Sequence, residues 1–280
     1  MRIIVWCCDY MGFTNEQFQP FDQTRTDRSS KISGTVPERI EPEYTTHFLQ
    51  GHVQEYIQQN WIPEIRKNGR QPVNVDYGCG DGTFTWFIHP HDGSERTIGY
   101  DPNLKLFPSY DKYIKEARPE ERFKHPEYTA DVNALPEVAD IVTLHFSLHH
   151  LAETRDDLIK KLQEIVDRLQ PQFIALAEFD CQGVSMADFK TMLNSEAGKR
   201  EVNLFIEQLK SEGVNDDITN KAWQACMAYH QRFNREDCIT ALQEAGYSIE
   251  KILLPGEHAF RHEQNRFLAF ARKNAIESNA

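Results

Sequence analysis

The stretch Val73-Asn74-Val75-Asp76-Tyr77-Gly78-Cys79-Gly80-Asp81-Gly82, followed by the apolar run Thr83 to Ile88, is compatible with few folds. A short β-prone segment ends in an acid, glycines recur at every second position, and an aromatic-rich helical segment begins directly after them. Glycine serves where a chain turns sharply or where a ligand presses on bare backbone, and a helix opening there offers unpaired N–H groups to a polar ligand. The pattern reads as a cofactor loop between a strand and a helix. A dinucleotide fingerprint requires G-x-G-x-x-G, whereas here Gly82 follows Gly80 and Thr83 stands in the last position. On the loop alone, nicotinamide and adenosyl cofactors both stay open.

Downstream acids narrow the reading. Thr97-Ile98-Gly99-Tyr100 is a second strand candidate closed by Asp101 and Pro102, and Asp101 lies 23 residues beyond Gly78. One βα unit delivers an acid from the tip of the next parallel strand at about this separation, where a carboxylate can accept from both hydroxyls of a ribose. Leu104 to Ala117 reads as the next helix, and Phe123 to Ala130 as a strand running into Asp131-Val132-Asn133, an acid suited to an adenine amino group.

Ala139 to Phe146 is continuously apolar, as a strand buried on both faces should be. Ser147-Leu148-His149-His150-Leu151 follows, then a helix over Glu153 to Leu169 with Leu158, Leu162, Ile165, Val166 and Leu169 on one stripe. Phe173 to Phe179 is a fifth strand, ending in Glu178, Asp180 and Cys181. This alternation of strands and helices predicts a parallel sheet covered on both faces.

Elsewhere the rhythm changes. Asp9 to Glu43 is polar, broken by Pro20, Pro37 and Pro42, and sustains no period, so residues 1–43 are expected to form a partly irregular arm. The alternative is a segment that orders over substrate, with Arg25, Arg28 and Lys31 for an anion. Tyr44 to Arg66 reads as an amphipathic lead-in helix. Gly183 to Phe233 reads as helices only, an insertion over the active edge whose stripes suit core packing as well as a lid. Asn234 caps a helix ending at Gly246, and Tyr247 to Leu254 with Arg266 to Ala271 predict a closing hairpin.

The balance of 31 Lys and Arg against 43 Asp and Glu, a formal net charge of −12, repels nucleic acid globally while leaving room for a local basic groove. The apolar run Met1 to Cys8 is too short to span a bilayer and no signal cleavage pattern follows it, so an intracellular, cytoplasmic location without membrane attachment is expected. Six cysteines lie scattered without C-x-x-C spacing, which predicts free thiols rather than zinc or disulfides.

Together, Asp76-x-Gly78-x-Gly80-x-Gly82, Asp101, Asp131 and Leu148-His149-His150-Leu151 resemble the class I S-adenosylmethionine-dependent methyltransferases. The resemblance covers roughly Val73 to Phe179, and the closing helix and hairpin extend it. It implies an α/β, three-layer Rossmann-like fold: a seven-stranded, mostly parallel sheet with an antiparallel last strand. The domain would span residues 44–280, with a helical insertion after strand five at about 183–233. It further implies that Gly78, Cys79, Gly80, Asp81 and Gly82 line the methionine part of S-adenosylmethionine, with Asp76 holding the amino group through water. Asp101, beside Pro102, would bind the ribose; Asp131 and Val132 would edge the adenine. His145 and Phe146 end strand four, where the family often carries Asn or Asp.

Methyl transfer is a direct displacement, so an enzyme needs mainly to align the nucleophile, sometimes with a base. His149 and His150 are the candidates for that base, and their alternative role is to pack and cap the turn. Glu178 and Asp180 are candidates for holding substrate donors, with solvation or helix capping as the alternative. His145, His149 and His150 invite a metal, yet no nearby acid or cysteine completes a ligand spacing, so none is expected. The expected acceptor is a small molecule enclosed by the insertion and the arm. A second acceptor class is RNA, including a cap, because Ser147 to His150 followed by Glu178-Phe179-Asp180 is loosely similar to methyltransferase domains of some large-virus and capping proteins. Arg25, Arg28, Lys31 and Arg39 would then contact phosphates. A third reading is a silent cofactor-binding scaffold.

Overall fold

A computed structural model describes residues 38–40, 48–67, 69–80, 82–90, 94–102, 125–152, 154–180, 233–255 and 266–275. Its strands are β1 (Glu38–Ile40), β2 (Val73–Tyr77), β3 (Arg96–Tyr100), β4 (Glu127–Thr129), β5 (Ile141–His145), β6 (Phe173–Phe179), β7 (Tyr247–Pro255) and β8 (Arg266–Lys273). They form one sheet in the order β1-β7-β8-β6-β5-β2-β3-β4. Every pairing is parallel except those of β8, which runs antiparallel to both β6 and β7. The seven expected strands and the antiparallel last one are therefore present. β1 adds an eighth at the β7 edge, inside the segment expected to be irregular; three residues are too few to register a period. The rest of the arm, the helix expected over Leu104 to Ala117 and the insertion at 183–232 lie outside the described residues.

The helices are α1 (Phe48–Tyr56), continued by a π turn (Ile57–Trp61) into α2 (Ile62–Arg66), α3 (Thr83–Ile88), α4 (Leu148–Leu151), α5 (Arg155–Leu169) and α6 (Arg235–Glu244). α5 starts at a capping box in which Thr154 and Asp157 satisfy each other's backbone N–H groups, and all five residues of its predicted stripe are buried. α6 opens on the same device, Asn234 with Asp237.

Alternation along the strands sends side chains to two cores. Val75, Val142, Leu144, Ile174, Leu176, Phe267 and Ala269 face α5 and α6; Ile141, Phe173, Ala175, Leu268 and Phe270 face α1 to α3. Trp61 is fully buried, stacks on Phe173 at 4.8 Å and donates its indole N–H to Glu250 at 2.8 Å, which ties the lead-in helix to the closing hairpin. Glu250 is bridged by Arg272, whose guanidinium also pairs with Glu64 at 2.6 Å.

From β2 the chain winds outward through β3 and β4, then returns to β5 on the other side of β2. The reversal lies between β2 and β5, and in open α/β sheets ligands bind outside the carboxyl ends of the strands at such a point.

Candidate functional site

The glycine loop leaves β2 at this switch point. The N–H groups of Gly78 and Cys79 donate to the Tyr100 carbonyl at 2.7 and 3.0 Å, which folds the loop back over the end of β3. The Gly80 N–H donates to Asp101 Oδ2 at 3.0 Å, so the loop and the acid at the tip of β3 are joined. Gly78 has φ +82°, and a Cβ there would stand 2.6 Å from Cβ of Ser147. At Gly82, φ is +77° and a Cβ would meet the Tyr128 ring at 2.5 Å, while the Tyr128 hydroxyl donates to the Gly82 carbonyl at 3.0 Å. Only glycine combines that backbone with such close approach.

Asp76 lies beneath the loop, fully buried. Its Oδ2 accepts from the Thr85 hydroxyl at 2.5 Å and its Oδ1 from the Thr143 hydroxyl at 3.1 Å. Burial pushes its pKa up to about 7, with the charge of Asp101 adding to the rise and the two hydroxyls opposing it. Both its oxygens thus bind together three elements, β2, α3 and β5.

Between β5 and α4 the backbone turns through Phe146, which holds φ +50° and donates its N–H to the Ala177 carbonyl at 2.9 Å. Ser147 follows, 4 % exposed, with its Oγ buried and without a hydrogen-bond partner among the described residues. A buried hydroxyl against the glycine loop is a polar group a ligand on that loop can satisfy. His149 and Glu178, 3 % and 1 % exposed, pair through Nδ1 and Oε1 at 2.8 Å. Glu178 also accepts from the backbone N–H groups of His149 and Phe179 at 3.3 and 3.2 Å. Burial pushes the Glu178 pKa up to about 7, against the lowering effect of the His150 charge and of those N–H groups. His150 stacks on His149 with ring centroids 4.0 Å apart.

Residues 75–172 match the family described as "Methyltransferase domain". That span contains the glycine loop, the acids after β3 and β4, and the β5–α4 turn. Over that span the chain is similar to methyltransferase domains. Two solved structures at a TM-score of 0.50 share its fold. The methyltransferase domain of bacterial CtHen1-C is 15 % identical, TM-score 0.50, over 81 % of this chain and 97 % of that one. The CurJ carbon methyltransferase is 17 % identical, also at 0.50, over 82 % and 54 %. Magnesium protoporphyrin IX methyltransferase from Synechocystis PCC 6803, solved with bound SAM, is 12 % identical at 0.45, over 83 % and 87 %. Comparison with curated protein sequences returns no match.

The fold brings most of the predicted site residues to one end of the sheet, in differing environments. Asp101 is 3 % exposed and held by the loop, whereas Pro102 beside it is exposed. Asp131 is exposed, and its Oδ1 accepts from the N–H and the side-chain amide of Asn133 at 2.9 and 3.1 Å. Val132, 36 % exposed, is one of the two large hydrophobic side chains open to solvent among the described residues. His145 stacks face to face on Phe84 at 3.9 Å, and burial together with the Arg266 charge pushes its pKa down to about 3, which keeps the imidazole neutral. Cys79 is buried, with its Sγ 4.0 Å from the Gly80 carbonyl oxygen. Asp81 lies outside the described residues. Asp180 turns away to α6, accepting from the Arg235 N–H at 3.2 Å and pairing with its guanidinium at 3.4 Å, which is the capping alternative. No group of three or more His, Cys, Asp or Glu side chains stands together as a metal site among the described residues, and no helix there is long and apolar enough to cross a membrane.

Sequence reasoning missed Thr85, Thr143, Tyr128 and Ser147. The signals were slight: threonines among mostly apolar neighbours, Gly99 in mid-strand, and a serine before a helix. Gly99 is explained by Tyr128, since a Cβ there would stand 2.7 Å from that ring.

Proposed function

We propose that the protein transfers a methyl group from S-adenosylmethionine to a small-molecule acceptor seated at the carboxyl ends of β5 and β6. The observation that carries this reading is the Gly80 N–H bound to the Asp101 carboxylate at the switch point, which joins the glycine loop to the acid that would accept from a ribose diol. S-adenosylmethionine supplies an activated methyl group when bound.

In this reading the backbone from Gly78 to Gly82 cradles the methionine part and Ser147 Oγ gains a partner there. Asp101 takes the ribose hydroxyls, and Val132 with Asp131 borders the adenine. Asp76 supports the loop from below, a role its threonine partners favour over direct contact. Glu178 accepts from His149 Nδ1–H, a tautomer assigned from that hydrogen bond, and this leaves Nε2 as the basic nitrogen. His149 is then the base that takes a proton from a hydroxyl or nitrogen nucleophile, and the burial of the pair keeps water from competing.

Calorimetry of the full chain with S-adenosylmethionine, S-adenosylhomocysteine and NAD tests the cofactor. Binding of the first two below millimolar concentration, weakened at least about tenfold by Asp101→Ala, is expected. NAD binding in their place would overturn the reading. Transfer of labelled methyl to fractionated small molecules, RNA and protein then reads the acceptor class, and label found in RNA, with steep salt dependence, would replace the small-molecule assignment.

A further inference from the structure

The chain leaves the carboxyl end of β4 and reaches β5 through a segment whose one regular element is the 3₁₀ turn Val132–Ala134. Its start is joined to the acid at the tip of β3: the Asp101 N–H donates to the Thr129 carbonyl at 3.2 Å, and Thr129 Oγ1 accepts from the Asp131 N–H at 3.0 Å. With the Asn133 donors on Asp131, these bonds shape the turn locally. Among residues 131–138 only Leu135 is buried. A segment with so few buried contacts opens easily unless something else fixes it.

That second anchor is Arg168, in the last turn of α5. Its Nη1 donates to the Pro136 carbonyl at 3.1 Å, and its Nη2 donates to the Leu135 and Val132 carbonyls at 3.1 and 3.4 Å. Three carbonyls converge on one planar guanidinium, whose rigid fork of donors orients all three peptide groups at once. The bonds are charge-assisted, and Arg holds its charge at every working pH. A cation is favoured in the last turn of a helix by the macrodipole alone, but that effect does not require three acceptors from another segment. Val132, bound to α5 through its carbonyl, keeps its apolar side chain exposed beside Asp131. An apolar side chain fixed in advance receives the flat face of a base without paying to order the loop on binding.

We propose that Arg168 is a positioning residue for the cofactor, acting through the backbone of residues 132–136 to hold Val132 where the adenine docks. The proposal rests on the methyl-transfer reading and assigns the group that sets affinity at the base. Its test is calorimetry of the full chain with S-adenosylhomocysteine on wild type, Arg168→Met, Val132→Ala and the double variant, each shown folded by urea unfolding. Arg168→Met should weaken binding about tenfold and Val132→Ala about threefold. The double variant should bind within about twofold of Arg168→Met, because a loosened Val132 has no contact left to lose. Arg168→Lys keeps the charge at the helix end but loses the fork, so it should weaken binding several-fold, less than Arg168→Met. If Arg168→Met does not fold, Arg168→Lys takes its place in the cycle under the same criteria. A purely structural role would lower the urea midpoint and leave affinity unchanged. Affinity of the Arg168 variant within about twofold of wild type, Val132→Ala without effect, or losses that multiply in the double variant would each overturn the proposal. Failure of wild type to bind S-adenosylhomocysteine would instead strike the methyl-transfer reading, so the two failures are distinguishable.

Discussion

Replacing Gly78 by alanine separates two reasons for the glycine. The first is conformational: at φ +82° an L-residue costs about 1–2 kcal/mol. The second is steric. The added Cβ would stand 2.6 Å from Ser147 Cβ, about 1 Å inside normal carbon contact. Overpacking of that kind costs about 1–3 kcal/mol, so Gly78→Ala should destabilise the fold by about 2–5 kcal/mol in all. Ser147→Gly removes the obstructing atoms. Ser147 makes no side-chain cap bond to α4, so its own replacement should cost only the glycine entropy, about 0.5–1 kcal/mol. The double variant should therefore recover the steric part and keep the conformational part. Equilibrium urea unfolding of wild type, both single variants and the double one gives the cycle, with the midpoint shifting and the slope constant. Repeating it with S-adenosylhomocysteine reads the same coupling in the cofactor loop. A coupling energy within about 0.5 kcal/mol of zero would refute the reasoning, because the two side chains would then not compete for space.

Other outcomes follow from the same geometry. Asp76 has a folded pKa near 7 against an ordinary value of 3.8, so its contribution to stability is present at low pH and lost as pH rises toward 7. The difference is worth about 4 kcal/mol, and Asp76→Asn should flatten the decline of unfolding free energy between about pH 4 and 7. An unchanged pH profile would contradict it. His149→Ala should lower turnover by about 100- to 10,000-fold while S-adenosylhomocysteine affinity holds, measured by kinetics and calorimetry; unchanged turnover returns the pair to a packing role. Tyr128→Phe removes the bond to the Gly82 carbonyl and should cost about 0.5–1.5 kcal/mol in thermal or urea unfolding. Leu162→Ala, at a fully buried position of α5, should cost about 2–5 kcal/mol by the same measurement while leaving cofactor affinity unchanged.

Much of the fold was legible because its rules are local. The run at Ala139 read as a strand buried on both faces and the segments at Val73 and Phe173 read as strands, and each is a strand. Asn234 and Gly246 bounded a helix through cap chemistry that acts within one turn. β1 escaped notice because it is three residues long and gains its hydrogen bonds from β7, more than two hundred positions away. Asp180 stood at a strand tip like Glu178, and only the docking of α6 separated their fates: one carboxylate meets Arg235, the other is buried against His149.

The sequence by itself determined a strand, a glycine loop and a helix in succession and an acid after the next strand, and with Asp131 and the Leu148-His149-His150-Leu151 turn it carried the resemblance that points to the cofactor. Steric limits on φ and ψ and the two side-chain periods operate on neighbouring residues, so they are written in neighbouring letters. The tertiary structure alone decided which groups face one another. Asp76 finds Thr143 across 67 residues, His149 finds Glu178 across 29, and Arg266 reaches Phe146 only because β8 turns back antiparallel beside β6. Those encounters depend on strand register and sheet order, which no local pattern specifies, and they set the charges and the shape of the site.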